Sequence, residues 1–243
     1  MESKTIANLS HAVKLYDKRT VLSDVSLSVN SGQILGIIGP SGSGKTTAIK
    51  CLLGMEKLNS GKSRILDTEM PNRKVLGRIG YMGQSDALYE NLSAYENLVF
   101  FGNLIGLKGR QLETMIDEKL QLVKLSDFKK KLVNTFSGGM KRRLSLAITL
   151  LGHPELIILD EPTVGIDPSL RKDIWEQLRQ LSEKGKGVIV TTHVMDEAEK
   201  CDLVGLIIDG ELFEIGTPNA LKEKFNAASI EEVFLKAEVG DHA

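Results

Sequence analysis

The feature that most constrains this chain is a run of eight residues, Gly39-Pro40-Ser41-Gly42-Ser43-Gly44-Lys45-Thr46. It fits the pattern G-x-x-x-x-G-K-[ST] at every fixed position, and its context separates it from a chance Gly/Ser-rich turn. Residues 33–38 before it form a short apolar run, suited to a strand buried on both faces. Residues 46–53 after it read as a helix closed by Gly54. A strand that turns through glycines into a helix N-terminus aims backbone N–H groups and a partial positive charge at one point. Lys45 adds a cation able to reach β- and γ-phosphates. The Thr46 hydroxyl is an oxygen ligand of the kind Mg²⁺ prefers. The run, with the adjoining Thr47, therefore predicts a nucleoside triphosphate site. Alone it does not separate kinases, GTPases and ATPases.

The remaining pattern supplies the frame. Val25-Ser26-Leu27-Ser28-Val29 alternates with period two, as a strand with one buried face does. Residues 6–15 read as a strand before it, and Asn30-Ser31-Gly32 as a turn after it. Residues 91–151 read as mainly helical. Leu112, Ile116, Leu120 and Val123 keep helical spacing, and a second helix starts at Ser137 and carries Leu144, Ala147, Ile148 and Leu151. Buried-strand runs resume at Leu156-Ile157-Ile158-Leu159 and at Val188-Ile189-Val190, with a helix over 170–181 between them. Residues 203–208 and 212–215 flank Asp209-Gly210, a hairpin turn signal. The expectation is one α/β domain: a P-loop core with a parallel sheet, an N-terminal antiparallel β portion and an inserted helical subdomain. Residues 1–90 and 152–217 would form the core, 91–151 the helical subdomain and 218–243 a short helical tail.

Composition narrows the class. A chain of 243 residues can bury one sizeable core with an insertion. A formal net charge of −1 gives no sign of a nucleic-acid surface, so no nucleic-acid partner is expected. Two cysteines, Cys51 and Cys201, make no disulfide framework and read as reduced, buried apolar residues. The start Met1-Glu2-Ser3-Lys4 has no apolar h-region, and no apolar stretch approaches the roughly 20 residues of a membrane span. Any membrane role is expected to run through a partner.

Two acids, Asp160 and Glu161, follow the apolar run at 156–159. Ligands of parallel α/β sheets bind at the carboxyl ends of strands. Asp160 is expected to hold Mg²⁺ through water, and Glu161 to polarise the attacking water.

Phe136-Ser137-Gly138-Gly139-Met140-Lys141-Arg142 resembles the signature sequence of ATP-binding cassette (ABC) ATPases. The resemblance spans nearly the whole chain. Gln84 resembles the family's Q-loop glutamine, Thr163-Val164-Gly165-Ile166-Asp167 its D-loop, and His193 its switch histidine. Tyr16 stands where the family has an aromatic residue that stacks on adenine. Phe136 and Met140 depart from the usual Leu and Gln of the signature, and Val164 and Ile166 from the usual Ser and Leu of the D-loop.

The resemblance implies ATP and Mg²⁺ as cofactors and a head-to-tail homodimer with two ATP molecules sandwiched. Ser137, Gly138 and Gly139 would bind the ATP of the opposite subunit, and Asp167 would act at the dimer interface. Thr46, Gln84 and Asp160 would hold the metal. Glu161, His193 and Gln84 would serve hydrolysis. The tail Ser229-Ile230-Glu231-Glu232-Val233-Phe234-Leu235 resembles that of ATPases from drug, antibiotic and polysaccharide exporters, and the short stretch after Pro218 leaves no room for the regulatory domain of importer ATPases. The implied function is the ATP-hydrolysing subunit of an exporter, driving a separate integral membrane permease. That permease would dock near residues 84–101, where Phe100 and Phe101 could line the groove or belong to the core. The chain would be cytoplasmic and peripheral on the inner face of the membrane. The alternative is a non-transport ABC ATPase such as a cofactor-assembly ATPase. Nothing in the sequence names a cargo, because cargo selection belongs to the permease.

Overall fold

The alternating segment near the N-terminus is half of a long hairpin in the structure, a computed structural model that describes residues 4–240. Residues 1–3 of the expected core and 241–243 of the expected tail lie outside the described residues. Strands β1 (Thr5–Tyr16) and β2 (Arg19–Asn30) pair antiparallel, with Leu9 opposite Leu27 and Ala12 opposite Val25. Val25, Leu27 and Val29 are buried while Ser26 and Ser28 are exposed, as period two requires. Next come β3 (Ile34–Ile38) and α1 (Lys45–Leu52), joined by the glycine-rich loop.

The following elements carry weak sequence signals. They are β4 (Ser60–Ile65), β5 (Thr68–Glu69), α2 (Arg73–Leu76) and β6 (Ile79–Met82). In β4 only Ile65 is a large apolar residue, so its strand state is set by pairing with β1 rather than by its own pattern. The N-terminal sheet has the order β2-β1-β4-β5.

Helices α3 (Ala94–Leu104), α4 (Gly109–Leu122) and α5 (Gly138–Thr149) form the middle block. Leu112, Ile116 and Leu120 of α4 are buried, together with Met115 and the following Val123. Then β7 (Leu156–Asp160), α6 (Pro168–Glu183), β8 (Gly187–Thr191), α7 (Met195–Ala198), β9 (Leu203–Ile208) and β10 (Glu211–Gly216) complete the core. Helices α8 (Pro218–Lys224) and α9 (Ile230–Gly240) close the described chain, and α9 packs Ile230, Val233 and Ala237 inward.

The second sheet has the order β10-β9-β3-β8-β7-β6. Its strands run parallel except β10, which returns antiparallel on β9 through the Asp209-Gly210 turn. The sheet is thus parallel in its core and antiparallel at the one edge where the Asp209-Gly210 hairpin signal lies. A two-residue turn can only reverse the chain. Every residue of β3, β7 and β8 is buried. The pleat divides them between two cores. Ile157 and Leu159 face the core shared with α4, α5 and α6, while Leu156 and Ile158 face the core shared with α1 and the N-terminal sheet. Sandwiching the central strands in this way brings the carboxyl ends of β3, β7 and β8 to one edge, where the loops that follow them meet.

Candidate nucleotide-binding site

The turn from β3 into α1 depends on glycine at two positions. A Cβ on Gly39 would lie 2.1 Å from the carbonyl oxygen of Ile207. Gly44 has φ 106°, and a Cβ there would meet Leu22 at 2.8 Å and the Val21 carbonyl at 2.9 Å. Lys45 is buried, and its Nζ donates to the carbonyls of Gly39 and Pro40, each at 2.8 Å. Burial holds its pKa below the ordinary lysine value, opposed by the nearby Glu161 and Asp160 carboxylates. A cavity of about 400 Å³ opens beside the loop. Ser41, Gly42, Gly44, Lys45, Thr46, Thr47, Gln84, Glu161 and Val21 line it. Gly39, Pro40 and Ser43 do not line it, and the buried Ser43 hydroxyl has no hydrogen-bond partner.

Three sequence-predicted residues meet at one hydroxyl. Thr46 Oγ1 donates to Asp160 Oδ2 at 2.9 Å and accepts from Gln84 Nε2 at 3.1 Å. Asp160, the last residue of β7, is fully buried, and its other oxygen accepts from Thr191 at the end of β8. The carboxylate and the hydroxyl are oxygen donors of the kind a small hard dication takes, and Gln84, which here turns its amide nitrogen to the hydroxyl, would add a third by presenting its amide oxygen instead.

Glu161 follows at the turn. Its φ of 54° lies in the left-handed region, which strains a residue with a Cβ. Its N–H is held by the carbonyl and the hydroxyl of Thr191, both at 3.1 Å. That conformation directs the Glu161 side chain into the cavity lining. His193, two residues beyond β8, brings Nδ1 within 3.4 Å of Glu161 Oε1. His193 does not itself line the cavity and meets it only through Glu161.

Other expected residues are placed elsewhere. Tyr16 is 41 % exposed and does not line the cavity; Lys14 Nζ stands 4.5 Å over its ring, and Lys14 also pairs with Glu56 at 2.9 Å. Ser137 caps α5, accepting from the Met140 N–H at 3.3 Å. Gly138 and Gly139 open that helix away from this cavity, Gly139 lying close to the Gly165 carbonyl. The Asp167 carboxylate caps α6 through the Leu170 N–H at 3.0 Å. That contact is within the chain and accounts for the residue without a partner subunit.

Two further residues shape the site: Glu197, which the sequence reading did not name, and Arg142, which it named only as the last residue of the signature-like motif and gave no role. Glu197 on α7 is fully buried and accepts from Thr163 Oγ1 at 2.5 Å and Thr192 Oγ1 at 2.7 Å. It ties the 163–167 loop to the segment that carries His193. Arg142 on α5 reaches the backbone at Asp160 and Glu161. Charged residues are rarely fully buried, so it is their burial in three dimensions that marks these two.

Comparison with known proteins places this geometry. Residues 22–164 match the family described as ABC transporter. The chain is 38% identical over 235 residues to Nod factor export ATP-binding protein I of Rhizobium sp. (strain N33), covering 96% of this chain and 77% of that protein. It is 40% identical over 222 residues to linearmycin resistance ATP-binding protein LnrL of Bacillus subtilis (strain 168), covering 89% and 71%. A structure described as the ATP binding subunit of an ABC transporter superposes with a TM-score of 0.90 at 26% identity, covering 96% of this chain and all of that one. A dimeric cassette in a post-hydrolysis state, bound to ADP and Pi, superposes with a TM-score of 0.81 at 26% identity, covering 87% and 98%. The chain belongs to the ABC transporter family, as an ATP-binding and ATP-hydrolysing cassette.

Proposed function

We propose that this cassette is the ATPase of an exporter and that two copies close head to tail around two ATP molecules. The observation that carries the site assignment is the meeting of Asp160 and Gln84 at the Thr46 hydroxyl, beside the Glu161–His193 pair. Residues 39–47 cradle the triphosphate through their N–H groups and Lys45. Thr46, Gln84 and Asp160 would hold Mg²⁺, which when bound would supply positive charge against that of the triphosphate. Glu161 accepts a proton from, and orients, the water that attacks the γ-phosphate. His193 donates to the γ-phosphate or the water. Ser137, Gly138 and Gly139, at the N-terminus of α5, close on the ATP of the opposite subunit. Asp167 sits at the closing interface while capping α6, and Tyr16 stacks on adenine with Lys14 behind its ring.

The names of the relatives support export, and one further surface supports a permease. An apolar groove of about 240 Å³ lies between β6, α3 and α5, lined in part by Tyr81, Leu88, Phe101, Leu104 and Ile148. Phe101 both packs on the core and faces this groove, and Phe100 is 37% exposed beside it. Among the described residues no helix is long and apolar enough to cross a membrane. A membrane permease docked in this groove supplies the span and holds the cassette at the inner face of the membrane. Closure around ATP and reopening after hydrolysis then drive the permease.

The test separates binding from chemistry. Glu161→Gln is expected to bind ATP, accumulate as an ATP-dependent dimer on size exclusion, and hydrolyse about 10²–10⁴-fold more slowly. Lys45→Ala is expected to lose nucleotide binding altogether. Turnover near wild type in Glu161→Gln removes Glu161 as the base.

A further inference from the structure

Arg142 belongs to α5, yet its guanidinium is 6% exposed and points out of the helical block. Nη1 donates to the carbonyls of Gly83 at 2.7 Å and Gln84 at 3.2 Å. Nη2 donates to the carbonyls of Asp160 at 2.5 Å and Glu161 at 2.7 Å. Asp86 Oδ1 lies 3.5 Å from Nη1 and accepts from Ser145 Oγ at 2.7 Å. Four carbonyls from two separate segments therefore converge on one planar cation. One segment carries Gln84. The other is the strained turn that aims Glu161.

The donors of a guanidinium are fixed in a plane, so carbonyls bonded to it are fixed relative to one another. We propose that Arg142 is a positioning residue for hydrolysis, holding the Gln84 segment and the Asp160–Glu161 turn in register. The proposal rests on the roles given above to Gln84 and Glu161. It reaches beyond them because Arg142 is not among the residues that line the nucleotide cavity. It acts through the backbone of the residues that do. Arg142 also lies on the helix that begins at Ser137, so any tilt of α5 moves both carbonyl pairs with it. The hydrogen bonds of Arg142 do not include residues 39–47. Affinity for nucleotide without Mg²⁺ is thus expected to be independent of Arg142, whereas the chemical step, which needs Gln84 and Glu161 in place, is not.

The experiment uses the full chain with Arg142→Lys and Arg142→Ala. Affinity is read by equilibrium binding of a fluorescent ATP analogue without Mg²⁺, and chemistry by single-turnover hydrolysis of ATP with Mg²⁺. The expected result is wild-type affinity with hydrolysis slowed about 10- to 100-fold, the scale set by small misplacements of reacting groups. Lysine keeps the charge but places a single ammonium where four carbonyls need a fork, so Arg142→Lys decides the matter if Arg142→Ala is insoluble. A wild-type rate in Arg142→Lys, or rate and affinity falling together, overturns the proposal and leaves Arg142 as an anchor of α5. Glu161→Gln run alongside distinguishes the two levels. Rapid hydrolysis there removes the site reading and this inference with it. Slow hydrolysis there with a wild-type rate in Arg142→Lys removes this inference alone.

Discussion

Glu161 owes its direction to a backbone conformation that few residues with a Cβ adopt, and neighbours on β8 hold it there. Such strain persists only where the surroundings enforce it. Thr191 does so on one side, and Arg142 on the other, through the Glu161 carbonyl. Glu197 plays a comparable part for the adjoining loops. Its carboxylate receives the hydroxyls of Thr163 and Thr192 and lies 3.7 Å from Arg171 Nε. Glu197→Ala leaves those buried donors without an acceptor, and each such group costs about 1–3 kcal/mol. The expected loss is therefore about 3 kcal/mol in the unfolding free energy, measured by urea titration. An unchanged midpoint would show that the two hydroxyls find other partners. The carboxylates at 160 and 161 were legible in sequence because an apolar strand precedes them. Glu197 was not, because nothing local distinguishes a buried helical glutamate from an exposed one.

At the scale of elements, caps explain why several boundaries coincide with their sequence signals. Ser137, Asp167 and Thr217 each accept a hydrogen bond from the N–H three residues on. Ser93 forms a full capping box with Glu96 at the start of α3, which holds the Glu96 pKa below the usual carboxylate range. Ser93→Ala is expected to cost about 1 kcal/mol of stability. The check is a calorimetric or denaturant midpoint, and a neutral effect would mean that α3 is held by its packing alone. The elements from β4 to β6 were not legible. A strand such as Ser60–Ile65 carries one large apolar residue, and its backbone groups are satisfied only when β1 arrives beside it. Pairing across more than forty residues of chain leaves no trace in a local window.

The whole molecule keeps three surfaces in separate places. The nucleotide cavity lies at the carboxyl ends of the central strands, the signature helix opens away from it, and the apolar groove lies between β6, α3 and α5. Leu104 of that groove is 68% exposed, so its replacement disturbs little of the fold, about 0.5 kcal/mol or less. Leu104→Glu is expected to abolish copurification with the permease while leaving the ATPase rate of the free cassette unchanged. Retained copurification would place the docking surface elsewhere. The sequence by itself determined the phosphate loop, the acidic pair, the buried strands and the family, because each is written in contiguous residues whose spacing the chemistry dictates. Only the tertiary structure decided how Gln84, Thr46 and Asp160 meet, that β4 pairs with β1, and that Arg142 and Glu197 are buried. Those facts depend on which distant segments exclude water from one another, and burial, unlike spacing, is a property of the packed chain.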